Sequence, residues 1–208
     1  TPYSTMGARP AARSIWNLLP ALLIGIMGAR AEGIPLLTWD GASTSAHDCY
    51  TVDDPVMGGG STSSFGVSHH DGIWQGEVRV VSFLREPGFC TMRTKDGSFP
   101  DATGTSALEL RIASATGLTN FALNVGVRHV TSDQTVYQAK FTLNTSEGGK
   151  SIIRVPWSAF RLTFRGREIQ GPPLEDHLSA ISRLGLSTSG TSGKFILALE
   201  GFYAYQEL

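Results

Sequence analysis

Apolar and polar side chains alternate along Trp74-Gln75-Gly76-Glu77-Val78-Arg79-Val80-Val81, the period-two pattern of a strand with one face against a core. The same alternation runs through Ala107-Leu108-Glu109-Leu110-Arg111-Ile112 and Tyr137-Gln138-Ala139-Lys140-Phe141-Thr142-Leu143. Residues 121–127 and 151–155 read as further strands, and residues 195–200 and 202–205 close the chain in the same way. Turn signals separate these runs: Asp71-Gly72, Asp96-Gly97, Glu147-Gly148-Gly149 and Ser192-Gly193. His69-His70 leads into the first of them and reads as the polar end of a hairpin. Helical periodicity is scarce, and only residues 174–186 leave room for a helical turn or two. Many short strands at this spacing predict an all-β domain, a two-sheet sandwich or jelly roll, over residues 34–208.

The pattern before residue 34 differs. Arg9 and Arg13 lie in a polar leader without acids, and an uncharged run follows over residues 15–28, IWNLLPALLIGIMG. Ala29-Arg30-Ala31 then precedes Glu32, so the layout is a basic flank, an apolar stretch and small residues. The stretch is shorter than the ~20 residues of a simple span and suits a signal as well as a tether. We read residues 1–33 as a targeting or membrane-anchor segment, a short apolar helix. Ile15, Trp16, Leu18, Leu19, Leu22, Leu23, Ile24 and Ile26 supply the anchor, with pigment or lipid as neighbours. The charge bias weakly puts the following domain on the translocated side.

Composition narrows the function. Of 208 residues 41% are hydrophobic, enough for a sizeable core, and 24 are glycine, in keeping with many turns. A net charge of −1 gives no electrostatic footprint for nucleic acid. Cys49 and Cys90 have no CxxC spacing; one disulfide or two buried free thiols both fit. The five histidines form no metal-ligating pair, no nucleophile elbow is present, and the acids suggest no catalytic couple. The chain therefore reads as a non-enzyme without a cofactor or metal.

Two segments stand out as candidates for partner contact. The first is Val52-Asp53-Asp54-Pro55-Val56-Met57-Gly58-Gly59-Gly60-Ser61, whose glycines suit a tight backbone path. No P-loop lysine follows, and Asp53 and Asp54 read better as turn residues than as joint metal ligands. Asp53, Asp54, Met57, Gly58 and Gly59 are its candidate contacts. In the second, Arg161, Arg165 and Arg167 interleave with Phe160 and Phe164. Either its aromatics enter the core while the arginines stay solvated, or Phe164, Arg165 and Arg167 meet a partner.

The piece Asp54-Pro55-Val56-Met57-Gly58-Gly59, with Ser61 and Phe65, resembles the opening of the complex I intermediate-associated domain family. Trp74-Gln75-Gly76-Glu77-Val78, Gly88-Phe89-Cys90-Thr91-Met92-Arg93 and Tyr137-Gln138-Ala139-Lys140-Phe141 follow in the family's order. So do residues 153–160 with Arg165-Gly166-Arg167, then residues 181–185 and 193–199. The resemblance implies a galactose-binding-like β-sandwich and protein–protein work in building large membrane complexes, without catalysis. It also covers plastid proteins of photosystem biogenesis. Together with the apolar N-terminus, this leads to the expectation of a membrane-anchored accessory or assembly subunit bound to other subunits of an energy-transducing complex. A photosystem on the lumenal side of a thylakoid stands slightly ahead of complex I in the mitochondrial inner membrane. A carbohydrate-binding module is the alternative, with Trp74, Trp157 and Tyr137 as available aromatics.

Overall fold

The computed structural model describes residues 33–41, 45–144 and 149–206, side chains at 56 and 57 excepted. The apolar run over residues 15–28, with its eight anchor residues, lies outside them. Among the described residues no helix is long and apolar enough to cross a membrane.

The regular structure of the described chain consists nearly all of strands. These are β1 (Ile34–Thr38), β2 (Cys49–Asp53), β3 (Thr62–Ser68), β4 (Asp71–Val78), β5 (Val80–Val81), β6 (Glu86–Pro87), β7 (Cys90–Thr94), β8 (Ala107–Gly117), β9 (Asn120–Val127), β10 (Thr135–Thr142), β11 (Ser151–Pro156), β12 (Arg161–Phe164), β13 (Arg167–Glu168), β14 (Ile181–Thr188) and β15 (Gly193–Tyr205). Short 3-10 segments occupy Asp54–Met57, Trp157–Ala159 and Leu174–Ala180, the last interrupted by a kink at His177. The helical turn anticipated within 174–186 is thus its first half only; the second half extends into β14.

Two antiparallel sheets form. One has the order β11-β8-β15-β4-β3, with β1 also pairing β15; the other runs β13-β12-β10-β9-β14-β7-β2. A small ribbon, β5-β6, stands outside both. The alternation seen in sequence becomes a two-faced burial pattern. Leu108, Leu110 and Ile112 of the first sheet and Leu123, Val125, Leu184 and Leu186 of the second are all buried in one core. Trp74 bridges the layers: its ring lies 4.6 Å from Phe195 in its own sheet and 6.1 Å from Phe121 in the facing one. The result is the β-sandwich that the pattern predicts.

Three differences from the sequence pattern have local causes. The run from Trp74 to Val81 breaks at Arg79, whose backbone N–H turns to the Ser61 hydroxyl at 2.9 Å and leaves the β4 ladder. The hairpin turn falls at His69 and His70, the first half of the anticipated polar end: both histidines take left-handed φ (50° and 70°), while Asp71 and Gly72 already belong to β4. Residues 195–205 form one strand instead of two, with register irregularities around Leu199 and Gly201.

Cys49 and Cys90 are free thiols. In the β2–β7 register Cys49 faces Thr94 while Cys90 faces Asp53. Four residues of stagger separate them by about 13 Å along the ladder, past the ~7 Å Cα limit for a disulfide.

Candidate functional site

The segment 53–61 is a loop held by its own acids. The Asp54 carboxylate accepts the Ser61 backbone N–H at 2.7 Å and the Ser61 hydroxyl at 2.8 Å. The Asp53 carboxylate accepts the corresponding pair of Ser63, both at 2.6 Å. Pro55 opens the short 3-10 turn and Gly58, at φ 82°, closes it. A Cβ on Gly59 or on Gly88 would collide with the Asp54 carboxylate. Those two glycines therefore exist to let a buried acid, only 2% exposed, reach Ser61. Of the contacts anticipated here, Asp54 is spent inside the loop, Asp53 is half-buried, Gly59 is half-buried and Gly58 is exposed. The Met57 side chain lies outside the described residues.

Beside this loop projects the β5-β6 ribbon. Val80, Phe83 and Leu84 are 51%, 70% and 56% exposed. Sequence reasoning took Val80 and Val81 as strand ends and missed the tip, because an apolar residue on a turn looks like any core residue.

The segment 160–167 is a strand and a hairpin turn. Phe160 enters the core, as one of the two readings had it, while Phe164 stays 41% exposed. Arg165 and Gly166 carry φ of 50° and 77° between the paired Phe164 and Arg167, a type I′ arrangement. The Arg165 guanidinium lies 5.4 Å from the Phe164 ring centroid, and Arg167 is exposed.

The strand order brings these two segments into relation. β2 and the β12-β13 hairpin are the opposite edges of the seven-stranded sheet. Between them, across its outward face, runs a cleft of about 750 Å³. Val52 and Phe89 line one end, Arg165 and Gly166 the other, and Arg93, Asn124, Gln138 and Arg183 form the floor. Two glycines shape that floor. Gly126 sits across the ladder from Arg183, and Gly185 across from Arg93. A Cβ at Gly126 would come within 2.8 Å of the Arg183 Cβ, and one at Gly185 within 2.9 Å of the Arg93 Cβ. The bare backbone lets both arginine stems lie over the sheet.

The two floor arginines are in different states. Arg183 is consumed: it donates to the Ser132 carbonyl at 2.6 Å and to Asp133 at 3.2 Å, and pairs with Asp96 at 3.4 Å. Arg93 has a 3.5 Å ion pair with Asp133 and lies 5.2 Å from the Tyr50 ring centroid, yet its buried Nε has no hydrogen-bond partner. Gln138 donates to Asn124 at 2.9 Å, which leaves each amide a free end. Arg93, Arg183, Asn124 and Gln138 were missed from the sequence. Their only signal was polar residues on the outward parity of strands whose neighbours were unknown.

The aromatics considered for sugar stacking are elsewhere. Trp74, Trp157 and Tyr137 are 0%, 1% and 1% exposed and belong to the core. Strand parity turns Trp74 and Tyr137 inward, and the 3-10 turn at Trp157–Ala159 buries Trp157.

A two-sheet antiparallel sandwich with an outward cleft is the architecture of galactose-binding-like jelly rolls. The chain belongs to the complex I intermediate-associated protein 30 family, whose model matches residues 39–199. No curated protein matches it. Among solved structures it is similar in fold to a family 11 carbohydrate-binding module studied in solution (CtCBM11), at 15% identity and TM-score 0.50, covering 86% of this chain and 99% of that one. A family 11 carbohydrate-binding module from Clostridium thermocellum in complex with a β-1,3-1,4-mixed-linked tetrasaccharide gives 15% identity and TM-score 0.48, covering 85% and 100%. The agarase AgWH50C gives 11% identity and TM-score 0.47, covering 82% of this chain and 26% of the agarase.

Proposed function

We propose that this domain is a non-catalytic binding module that engages protein subunits of a large energy-transducing membrane complex during its assembly or as an accessory subunit. The family match over residues 39–199 carries the reading and ties it to complex I. The geometry supports it in two places. The apolar tip of Phe83 and Leu84 is exposed beside the 53–61 loop, and exposed apolar clusters mark contacts with protein or membrane. The cleft ends at the second singled-out segment. The apolar run over residues 15–28 is proposed as the tether, with lipid or pigment around it. If it directs the chain to a thylakoid lumen, a photosystem takes the place of complex I.

The test is recovery of the full chain, tagged at its C-terminus, from membranes in mild detergent, followed by native gel separation and identification of the co-migrating subunits. Subunits of complex I or of a photosystem are expected. A chain that migrates only as a free monomer overturns the reading. The paired substitution Phe83→Ser with Leu84→Ser should leave the fold intact and reduce recovery of the complex several-fold.

A further inference from the structure

We infer that the cleft across the seven-stranded sheet holds an extended, carboxylate-bearing segment of a partner protein, with Arg93 and Arg165 as the groups that meet its acids. This deepens the protein-binding reading and rests on it. The size fits first. From β12 to β2 the cleft crosses five inter-strand steps, about 24 Å at ~4.8 Å each. An extended chain covers that distance in about seven residues.

Charge and donor supply follow. Three arginines and one aspartate line the cleft, so its walls are net positive although the whole chain is not. Arg183 is already satisfied, but Arg93 donates no side-chain hydrogen bond among the described residues. The Arg165 guanidinium lies over the Phe164 ring and makes no ion pair among the described residues. Two guanidinium groups stand at separate points of one cleft, Arg93 held by a single 3.5 Å ion pair with Asp133 and with its Nε unpartnered, and such forks suit carboxylates, which accept from them in pairs. The half-free amides of Asn124 and Gln138 lie between them and offer a donor and an acceptor to a passing peptide backbone. Arg165 also holds a left-handed φ of 50° in the turn, a conformation that a side chain other than glycine adopts at a cost.

A neutral sugar fits this surface less well. Phe89 is the one aromatic among the cleft-lining residues, and the Tyr50 ring is covered by Arg93.

The experiment uses the full chain and a fluorescein-labelled octaglutamate peptide, followed by anisotropy. Arg165→Gly removes the charge while easing the turn, so loss of binding cannot be attributed to misfolding; Arg93→Gln tests the floor. Each should weaken binding roughly tenfold, the scale of one charge-assisted pair, and a labelled octalysine should not bind. The inference is overturned if the probe does not bind, if it binds both variants as tightly as the wild type, if octalysine binds equally, or if a mixed-linked β-glucan tetrasaccharide displaces it. Complex recovery is read in parallel. A complex that co-purifies while the probe ignores the variants overturns the cleft inference alone. A probe lost by both variants with no complex recovered supports the cleft and overturns the assembly reading.

Discussion

At Asp54 the most recognisable stretch of the sequence turns out to be internal architecture. A carboxylate there satisfies two donors of Ser61 in a site 2% exposed, and Gly59 and Gly88 clear the space it needs. Removing one side of such a pair strands a buried donor, at about 1–3 kcal/mol. Asp54→Ala should therefore lower stability by about 2 kcal/mol in urea unfolding. Gly88→Ala should do comparable damage by pushing the carboxylate off Ser61. Ser61→Ala should also destabilise, because the Ser61 hydroxyl both donates to Asp54 and accepts the Arg79 backbone N–H, although the backbone N–H of residue 61 still reaches the carboxylate. If Asp54→Ala leaves the midpoint unchanged, the carboxylate is not holding the loop. The presence of a turn was legible from Pro55 and the glycine run. That Gly88, thirty-four positions from Asp54, belongs to the same site was not, because only the fold makes them neighbours.

Among the elements, β8, β11 and β15 carry the clearest electrostatic device. Glu109 faces Arg154 on one side of the ladder and Tyr203 on the other. It is 1% exposed in its side chain and receives Arg111 and Arg154, each at 2.6 Å, while their guanidinium carbons lie 3.8 and 4.0 Å from the Tyr203 and Tyr205 ring centroids. Burial pushes the Glu109 pKa up, but the hydrogen bonds and charges of Arg154 and Arg111 outweigh it and hold the group below its ordinary value of 4.5. A depressed folded pKa contributes stability that is present above the unfolded value and lost as pH falls through the folded one. The wild type should thus lose stability below about pH 4.5 through this group. Glu109→Gln should flatten that limb of a stability–pH curve while lowering stability at neutral pH. An unchanged acid limb would count against it.

The β2–β7 register decides the cysteines. Burial pushes both thiols up to about 12, so little thiolate exists near neutrality. Iodoacetamide at pH 8 should leave the folded protein unlabelled and, without reductant, add two labels per chain after guanidinium denaturation. Absence of label in the denatured, unreduced protein would indicate a disulfide and a different register. From sequence both states were open, since spacing along the chain says nothing about stagger across a ladder.

At the scale of the whole molecule, the two sheets are joined by an aromatic core in which Trp74 meets Phe195 and Phe121. Trp74→Ala removes the largest of these contacts and leaves a cavity, a loss of ~3–5 kcal/mol. Set against the 5–15 kcal/mol that holds an ordinary domain together, that should leave a population with weakened near-UV circular dichroism and an early urea midpoint. A variant as stable as the parent would mean that the sheets are held mainly elsewhere.

The sequence by itself determined the class of fold and the family. Strand periodicity is a local property of neighbouring residues, and several motif fragments in order do not depend on how strands pair. The two segments it singled out also reach the ends of the cleft, at Val52 and at Arg165-Gly166. Only the tertiary structure decided what lies between them. Arg93, Asn124, Gln138 and Arg183 come from four different strands, and their side chains share one face because β7, β14, β9 and β10 happen to be adjacent. It likewise decided that Trp74 and Tyr137 point inward, since the face a strand turns to the core is set by its partner sheet and not by its own alternation, and that the 3-10 turn after β11 buries Trp157.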